Sequence, residues 1–210
     1  MKYKPVFFIC LALGAGIWAS AQTPPDAPAA AAEDKPPDVW TLPVKLVPQE
    51  TELWCWAATG QMTMGYFGME VSQSDQANLL FRRRDCGQRP VPRECTQGGR
   101  MVLNEYGYTY NLLRKPVIPD EIVRQTYTLR KPMPFAWLFT GGGGHAALVV
   151  GYNKQTEGQF LVECFDPWPP PHTDQRDWAG GQRLFMPYSR WCEDYDHSFG
   201  QVLINVAKGE

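Results

Sequence analysis

Residues 146–165 read AALVVGYNKQTEGQFLVECF. Two β-type runs, Ala146 to Tyr152 and Gln159 to Phe165, flank a polar turn from Asn153 to Gly158, which is the pattern of an antiparallel hairpin. Gln182 to Tyr188 and Gln201 to Val206 are two further strands, and Pro134 to Phe139 is a short aromatic run just upstream. Before that the pattern changes. Trp54 to about Phe67 (WCWAATGQMTMGYF) has good helix formers with bulky apolar residues at helical spacing, and Gly68 can end it. Ser74 to Arg83 is a second helical stretch, with Leu79, Leu80 and Phe81 as its buried part. Met101, Val102 and Leu103 lead a third that Gly107 would stop, and Asp120 to Thr128 form a fourth after Pro119. Helices followed by strands predict an α+β fold rather than an alternating α/β one. The chain has no internal repeat.

The chain has 210 residues, 44% hydrophobic and 20% charged, enough for one ordinary domain or for two half-sized lobes around a shared cleft. Twenty Lys and Arg against 22 Asp and Glu leave a formal charge of −2. A mildly acidic chain lacks the clustered basic face that phosphate binding needs, so nucleic acid is not an expected partner. The one basic run, Arg82-Arg83-Arg84, reads as a solvated helix end. Eight Trp and nine Tyr suit a peptide or carbohydrate cleft, although large aromatics also fill cores.

The amino terminus has the form of an export signal. Lys2 and Lys4 make a positive start, Val6 to Ile17 is an apolar stretch too short to span a bilayer, and Ala19-Ser20-Ala21 is a small-residue cleavage site. The expected organisation is a signal peptide over 1–21, a Pro/Ala-rich flexible linker over 22–40, and a folded domain over 41–210. A secreted or periplasmic protein, with no membrane association after signal cleavage, follows from that reading.

Export alters how the cysteines read. Cys10 leaves with the signal, and Cys55, Cys86, Cys95, Cys164 and Cys192 remain. An odd number in an oxidising compartment suggests pairs plus one free thiol. Cys86 and Cys95 close a short Pro-containing loop and are the natural first pair; Cys164 and Cys192 could form the second, leaving Cys55. Spacing alone does not fix the connectivity, since four cysteines permit three pairings. No C-x-x-C or H-x₃-H pair exists, so no metal site is expected.

Three motifs carry candidate chemistry. In Gln49-Glu-Thr-Glu-Leu-Trp-Cys55-Trp-Ala-Ala, Cys55 falls at the first turn of the predicted helix, where free N–H groups and partial positive charge favour a thiolate. The Cys55 N–H, and the Gln49 side chain six residues upstream, could together hold an oxyanion. In Gly141-Gly-Gly-Gly-His145, four glycines lead into a histidine that opens an apolar strand, a place suited to acid/base work. In Phe165-Asp166-Pro167-Trp168, Asp166 ends the next strand. Across a hairpin it would lie beside His145 and orient the ring, and Trp168 could cover that hydrogen bond. Taken singly, a buried cysteine, a structural histidine and an Asp-Pro turn are each ordinary features.

Together, Gln49…Cys55-Trp-Ala-Ala, Gly144-His145 before an apolar strand, and Asp166-x-Trp168 resemble the papain-like cysteine peptidases. The likeness is to a compact bacterial branch related to plant-pathogen effector proteases. The segment Asp85-Cys86…Glu94-Cys95-Thr96-Gln97-Gly98-Gly99, with Leu103 and Tyr106-Gly107, is similar to the cysteine-bearing loop and helix of that branch, and the resemblance spans about Leu46 to Tyr188. It implies a two-lobe fold, a helical N-terminal half and an antiparallel β-sheet C-terminal half, with the active-site cleft between them. It implies Cys55 as nucleophile, His145 as general base and then acid, Asp166 as the orienting group, and Gln49 in the oxyanion hole. The implied reaction is hydrolysis of a peptide bond in a protein or peptide substrate, without cofactor. The same triad serves peptidoglycan stem-peptide amidases and transamidating or deamidating enzymes, and an inactive peptide- or glycan-binding module on the scaffold is a third reading. His172 and His197 read as surface-loop residues; of Trp54 and Trp56, one should fill the core and the other wall the cleft. Glu50 and Glu52 could repel acidic substrates. The sequence assigns no oligomeric state.

Overall fold

The computed structural model describes residues 35–209 other than 157 and 169–179. The expected signal peptide, most of the expected linker and His172 lie outside the described residues. In chain order the elements are β1 (Val39–Thr41), α1 (Cys55–Tyr66), α2 (Gln73–Phe81), β2 (Tyr108–Leu113), α3 (Pro119–Val123), β3 (Met133–Phe139), β4 (Gly144–Thr156), β5 (Gln159–Asp166), β6 (Gln182–Pro187), α4 (Tyr188–Cys192) and β7 (His197–Lys208). The fold is α+β, with helices early and an antiparallel sheet late. No helix among the described residues is long and apolar enough to cross a membrane.

The sheet has seven strands, six in the order β2-β7-β3-β4-β5-β6 and β1 added to β4, every pairing antiparallel. β4 is the longest strand at 13 residues, which lets two strands share one of its edges. β3 pairs with its first half, from Gly144 to Val149, and β1 pairs with Gly151 to Asn153 beyond. Alternate residues of one strand enter different apolar clusters, because side chains of a strand point to opposite faces. Ala146 and Leu203 pack with Trp54, Trp56, Met64 and Val102 beneath the helices. Ala147 and Val202 pack with Phe135, Tyr152 and Trp191 on the other face.

α1 is apolar on almost every side, as a helix sandwiched between α2 and the sheet must be. Trp56 to Gly60 and Met62 to Met64 are all buried. At Gly60 an added Cβ would sit 2.3 Å from the Gln76 side-chain oxygen, so α2 approaches α1 through this hydrogen-sized gap. Gln76 uses that proximity to donate to the Ala57 carbonyl at 2.8 Å. α2 starts on Ser72, whose hydroxyl accepts the Asp75 N–H, and stops where Arg82 turns left-handed.

Several expectations shift. The third helix shrinks to a single tight turn, Asn104–Tyr106, because Gly107 stops it at φ 80° and Tyr108 must begin pairing with β7. The fourth splits into α3 and a wider turn, Arg124–Thr128. The folded chain starts before Thr41: the Pro37 carbonyl accepts the Tyr152 hydroxyl, and Trp40, expected in the linker, bonds the Thr126 carbonyl and lies under the Arg130 guanidinium. Cys86 and Cys95 form the expected disulfide. Cys164 and Cys192 do not pair; both are free thiols. They belong to the same apolar cluster, but Cys164 is sealed in β5 and Cys192 is bonded to the Tyr188 hydroxyl one helical turn away.

Candidate active site

Cys55 heads α1, where the first N–H groups of a helix have no internal partner. Its position is fixed from both sides. The Trp54 indole, fully buried, donates to the Cys95 carbonyl at 2.8 Å, and the Trp56 indole to the Gln97 carbonyl at 3.4 Å. The disulfide loop therefore grips the residues on either side of Cys55. Both tryptophans are buried, and only Trp56 also lines the cleft, which divides the two roles as the sequence suggested.

Before the helix, the chain from Pro48 to Trp54 is held by α2. Gln73, fully buried, accepts the Glu50 N–H at 2.9 Å and donates to the Pro48 carbonyl at 2.8 Å. Neither Gln73 nor Gln76 stood out in the sequence; a buried glutamine facing the backbone around Cys55 has no local pattern to announce it. Gln49 is buried, and its N–H bonds the Pro167 carbonyl, tying this segment to the end of β5. Its side-chain amide donates to the carbonyls of Thr51 (2.8 Å) and Glu52 (2.7 Å). Both amide protons are thus engaged inside the loop rather than presented to the cleft, and Gln49 is not among the cleft-lining residues.

His145 stands at the mouth of β4 and Asp166 at the end of β5. Leu148 pairs with Phe165, so the hairpin places the two residues side by side. His145 Nε2 lies 2.6 Å from Asp166 Oδ1, and both are buried. The same carboxylate oxygen accepts the Trp168 N–H at 2.8 Å. Trp168 then stands edge-on to the imidazole, ring centres 6.1 Å apart, as a cover over the pair. With Nε2 committed to Asp166, Nδ1 is the nitrogen left for the Cys55 thiol, to which His145 is hydrogen-bonded. Trp137 and Phe139 of β3 stack on the same ring, each at 6.3 Å.

The electrostatics favour an ion pair. Burial opposes charge on both groups. For His145 the Asp166 carboxylate and the Cys55 sulfur overcome that burial and raise the imidazole from 6.5 to about 10. For Cys55, burial is overcome by the His145 bond and charge and by the backbone N–H groups of Ala146 and Trp56, and the thiol is lowered. A thiolate beside an imidazolium is a nucleophile with its proton donor already in place.

Cys55, His145, Asp166 and Trp168 all line one cleft of about 990 Å³. His197, expected on a surface loop, is buried at the start of β7 and forms part of the same wall. Its ring lies tilted against Trp137, centres 4.5 Å apart, and bonds Asp196 and the Arg190 carbonyl. Its polar sequence neighbours hid a strand start, because Asp194 and Asp196 make the turn that leads into β7. Glu50 is paired with Arg89, while Glu52 lines the cleft. The one metal-like grouping among the described residues, Asp85 with Cys86 and Cys95, has both sulfurs in the disulfide and offers no thiolate ligand.

Residues 38–177 match the sequence profile of a family described as papain-like cysteine protease AvrRpt2. No curated protein matches the chain. Among solved structures, a double glycine motif protease from an AMS/PCAT transporter, in complex with its leader peptide, shares 20% identity over 78% of this chain and 91% of that one, with a TM-score of 0.44. The peptidase domain of Streptococcus ComA shares 17% identity over 79% and 98%, at a TM-score of 0.46. The bromelain protease from Ananas comosus shares 12% over 83% and 100%, at 0.47.

Proposed function

Because the chain belongs to the papain-like cysteine protease AvrRpt2 family, and is a cysteine-type peptidase by that membership, we propose that Cys55, His145 and Asp166 are its catalytic triad. The observation that carries the assignment is the chain of bonds from the head of α1 through His145 to the buried Asp166 carboxylate at 2.6 Å.

The thiolate of Cys55 attacks the carbonyl carbon of a peptide bond. The negative charge passes to the carbonyl oxygen, beside the Cys55 N–H at the helix start. His145 gives its Nδ1 proton to the leaving amine as the C–N bond breaks, which leaves a thioester on Cys55. The neutral imidazole then takes a proton from water, and hydroxide displaces the sulfur, releasing acid and restoring the ion pair. Asp166 holds the ring with Nδ1 toward the sulfur, and Trp168 keeps water from the Asp166 bond. Gln49 is assigned the second oxyanion donor, on condition that one amide N–H leaves the Thr51 or Glu52 carbonyl when substrate arrives.

Export belongs to the same reading: residues 1–21 act as a cleaved signal, and the mature chain starts at Gln22. Amino-terminal sequencing of the protein recovered outside the cytoplasm checks this, and retention of Met1 there refutes it. The triad is tested by single-turnover acylation with an activated peptide ester. A mass increase confined to a peptide containing Cys55, absent in Cys55→Ala, is the expected result. Acylation elsewhere, or at equal rate in the variant, overturns the assignment.

A further inference from the structure

Resting on the peptidase reading, the sheet floor of the cleft adds a specificity element. Leu113, the last residue of β2, pairs with Val202, and Arg114 follows it in a bend just past that pairing, on the side where Gln201 precedes Val202 in β7. Gln201 pairs with Ala136 of β3, and Ala136 pairs with Ala146 of β4, next to His145. Cross-strand partners face the same side of a sheet. All four residues line the cleft. A row thus runs from the catalytic histidine's neighbour across β4, β3 and β7, with the Arg114 guanidinium beyond it at the end of β2.

The near part of the row is small. Ala146 and Ala136 offer only methyl groups, and Gly200 beside them admits nothing larger, since a Cβ there would meet the Ala136 carbonyl at 2.9 Å. The far end is polar. The other charges of the cleft are engaged: Asp166 with His145, Asp196 with His197, and Arg190 with Asp194. Arg114 has no ion pair or side-chain hydrogen bond among the described residues, and neither has the Gln201 amide. Glu52 is the remaining acid of the cleft without an ion pair among the described residues. It lies in the loop before Cys55, so the two uncompensated charges come from different walls.

We propose that Arg114, with Gln201, forms a subsite that accepts an acidic side chain of the substrate peptide, seated over the recess made by Ala146, Ala136 and Gly200. A carboxylate is the group whose two oxygens match the guanidinium fork, and the neighbouring amide adds a further donor. Spacing of about 4.8 Å between strands puts Arg114 roughly 14 Å from the strand of His145. An acidic residue a few positions from the cleaved bond reaches it. The competing reading is that Arg114 only keeps the edge strand β2 from pairing with another chain.

The test walks a Glu/Gln exchange through each position of a cleavable peptide and reads the ratio of kcat/KM at low salt. One position should favour Glu by roughly two- to fivefold, the size of a partly exposed ion pair. That preference should vanish in Arg114→Ala, turn toward Lys in Arg114→Glu, and fade at high salt. In parallel, the same peptides are titrated against Cys55→Ala by fluorescence anisotropy. Cleavage without any position-specific acid preference overturns the subsite and leaves the peptidase reading standing. Arg114-dependent binding without cleavage by the wild type supports the subsite and refutes the peptidase reading. An acid preference that survives Arg114→Ala also overturns the subsite.

Discussion

Cys55 and Cys164 are both free thiols in one domain, and their surroundings drive them apart. Cys55 heads a helix, partly exposed in a cleft, with an imidazole and two backbone N–H groups turned toward its sulfur. Cys164 lies inside β5, fully buried, with the carboxylates of Glu163 and Asp166 on either side of it in sequence. Burial and those negative charges push its thiol well above 9.0. Asp166 thus acts in opposite directions on the two sulfurs. Through His145 it promotes the thiolate at Cys55, and by its bare charge it suppresses one at Cys164. Reactivity here belongs to the neighbours of a cysteine and not to its being unpaired.

The largest effect expected from this contrast is in turnover. Cys55→Ala should lower kcat/KM by at least about 10⁴-fold, the scale seen when a triad member is removed. Cys164→Ala should keep kcat/KM within about threefold and lose stability instead, by roughly 1–2 kcal/mol for a small buried side chain. Peptide hydrolysis and urea unfolding of the two variants measure this, and a catalytic collapse in Cys164→Ala would break the comparison.

Labelling sharpens it. Iodoacetamide at pH 6 should modify native Cys55 at least tenfold faster than a free cysteine in the same buffer, since a lowered thiol holds a larger thiolate fraction than a free one. Cys164 should react only after denaturation. Peptide mapping of the labelled protein reads both sites at once.

Next in size is the orienting carboxylate. Asp166→Asn keeps the shape but removes the charge that lifts His145 to about 10. The imidazolium then loses its proton at lower pH, and Cys55 loses part of what lowers it. The alkaline limb of kcat/KM should move down and the acid limb up, narrowing the bell, with a fall of about 10²–10⁴ at the optimum. An unchanged alkaline limb would show that Asp166 does not set the charge of His145.

How much of this was legible in the sequence follows from where each feature is encoded. α1, β4 and β5 carry their periodicity locally, and Cys55, His145 and Asp166 sit at their ends, so the three proposed triad residues could be read from short motifs. β2 could not: Tyr108 to Leu113 has no clean alternation, because its burial is decided by β7, almost a hundred residues later. Gln73 and Gln76 look like surface residues of α2 and are instead buried, Gln73 against the loop before Cys55 and Gln76 against α1. The pairing of Cys164 with Cys192 failed for a related reason. Counting thiols in an exported chain favours pairs, but a strand that buries Cys164 and a helix that bonds Cys192 to Tyr188 decide the matter in three dimensions.

The smallest expected change concerns the disulfide that stands behind Cys55. Its loop is short, so closing it removes little freedom from the unfolded chain, and Cys86→Ala/Cys95→Ala should cost about 2–3 kcal/mol. The loop also presents the Cys95 and Gln97 carbonyls to Trp54 and Trp56, the two residues flanking Cys55. Loosening it should therefore reach the site as misplacement and not as lost chemistry. The expected result is a drop in kcat/KM of about tenfold with the pH profile unmoved, since no charge near His145 changes. A shifted profile would mean that the brace tunes the ion pair itself, and full activity with lowered stability would mean that the tryptophans hold the helix head without it.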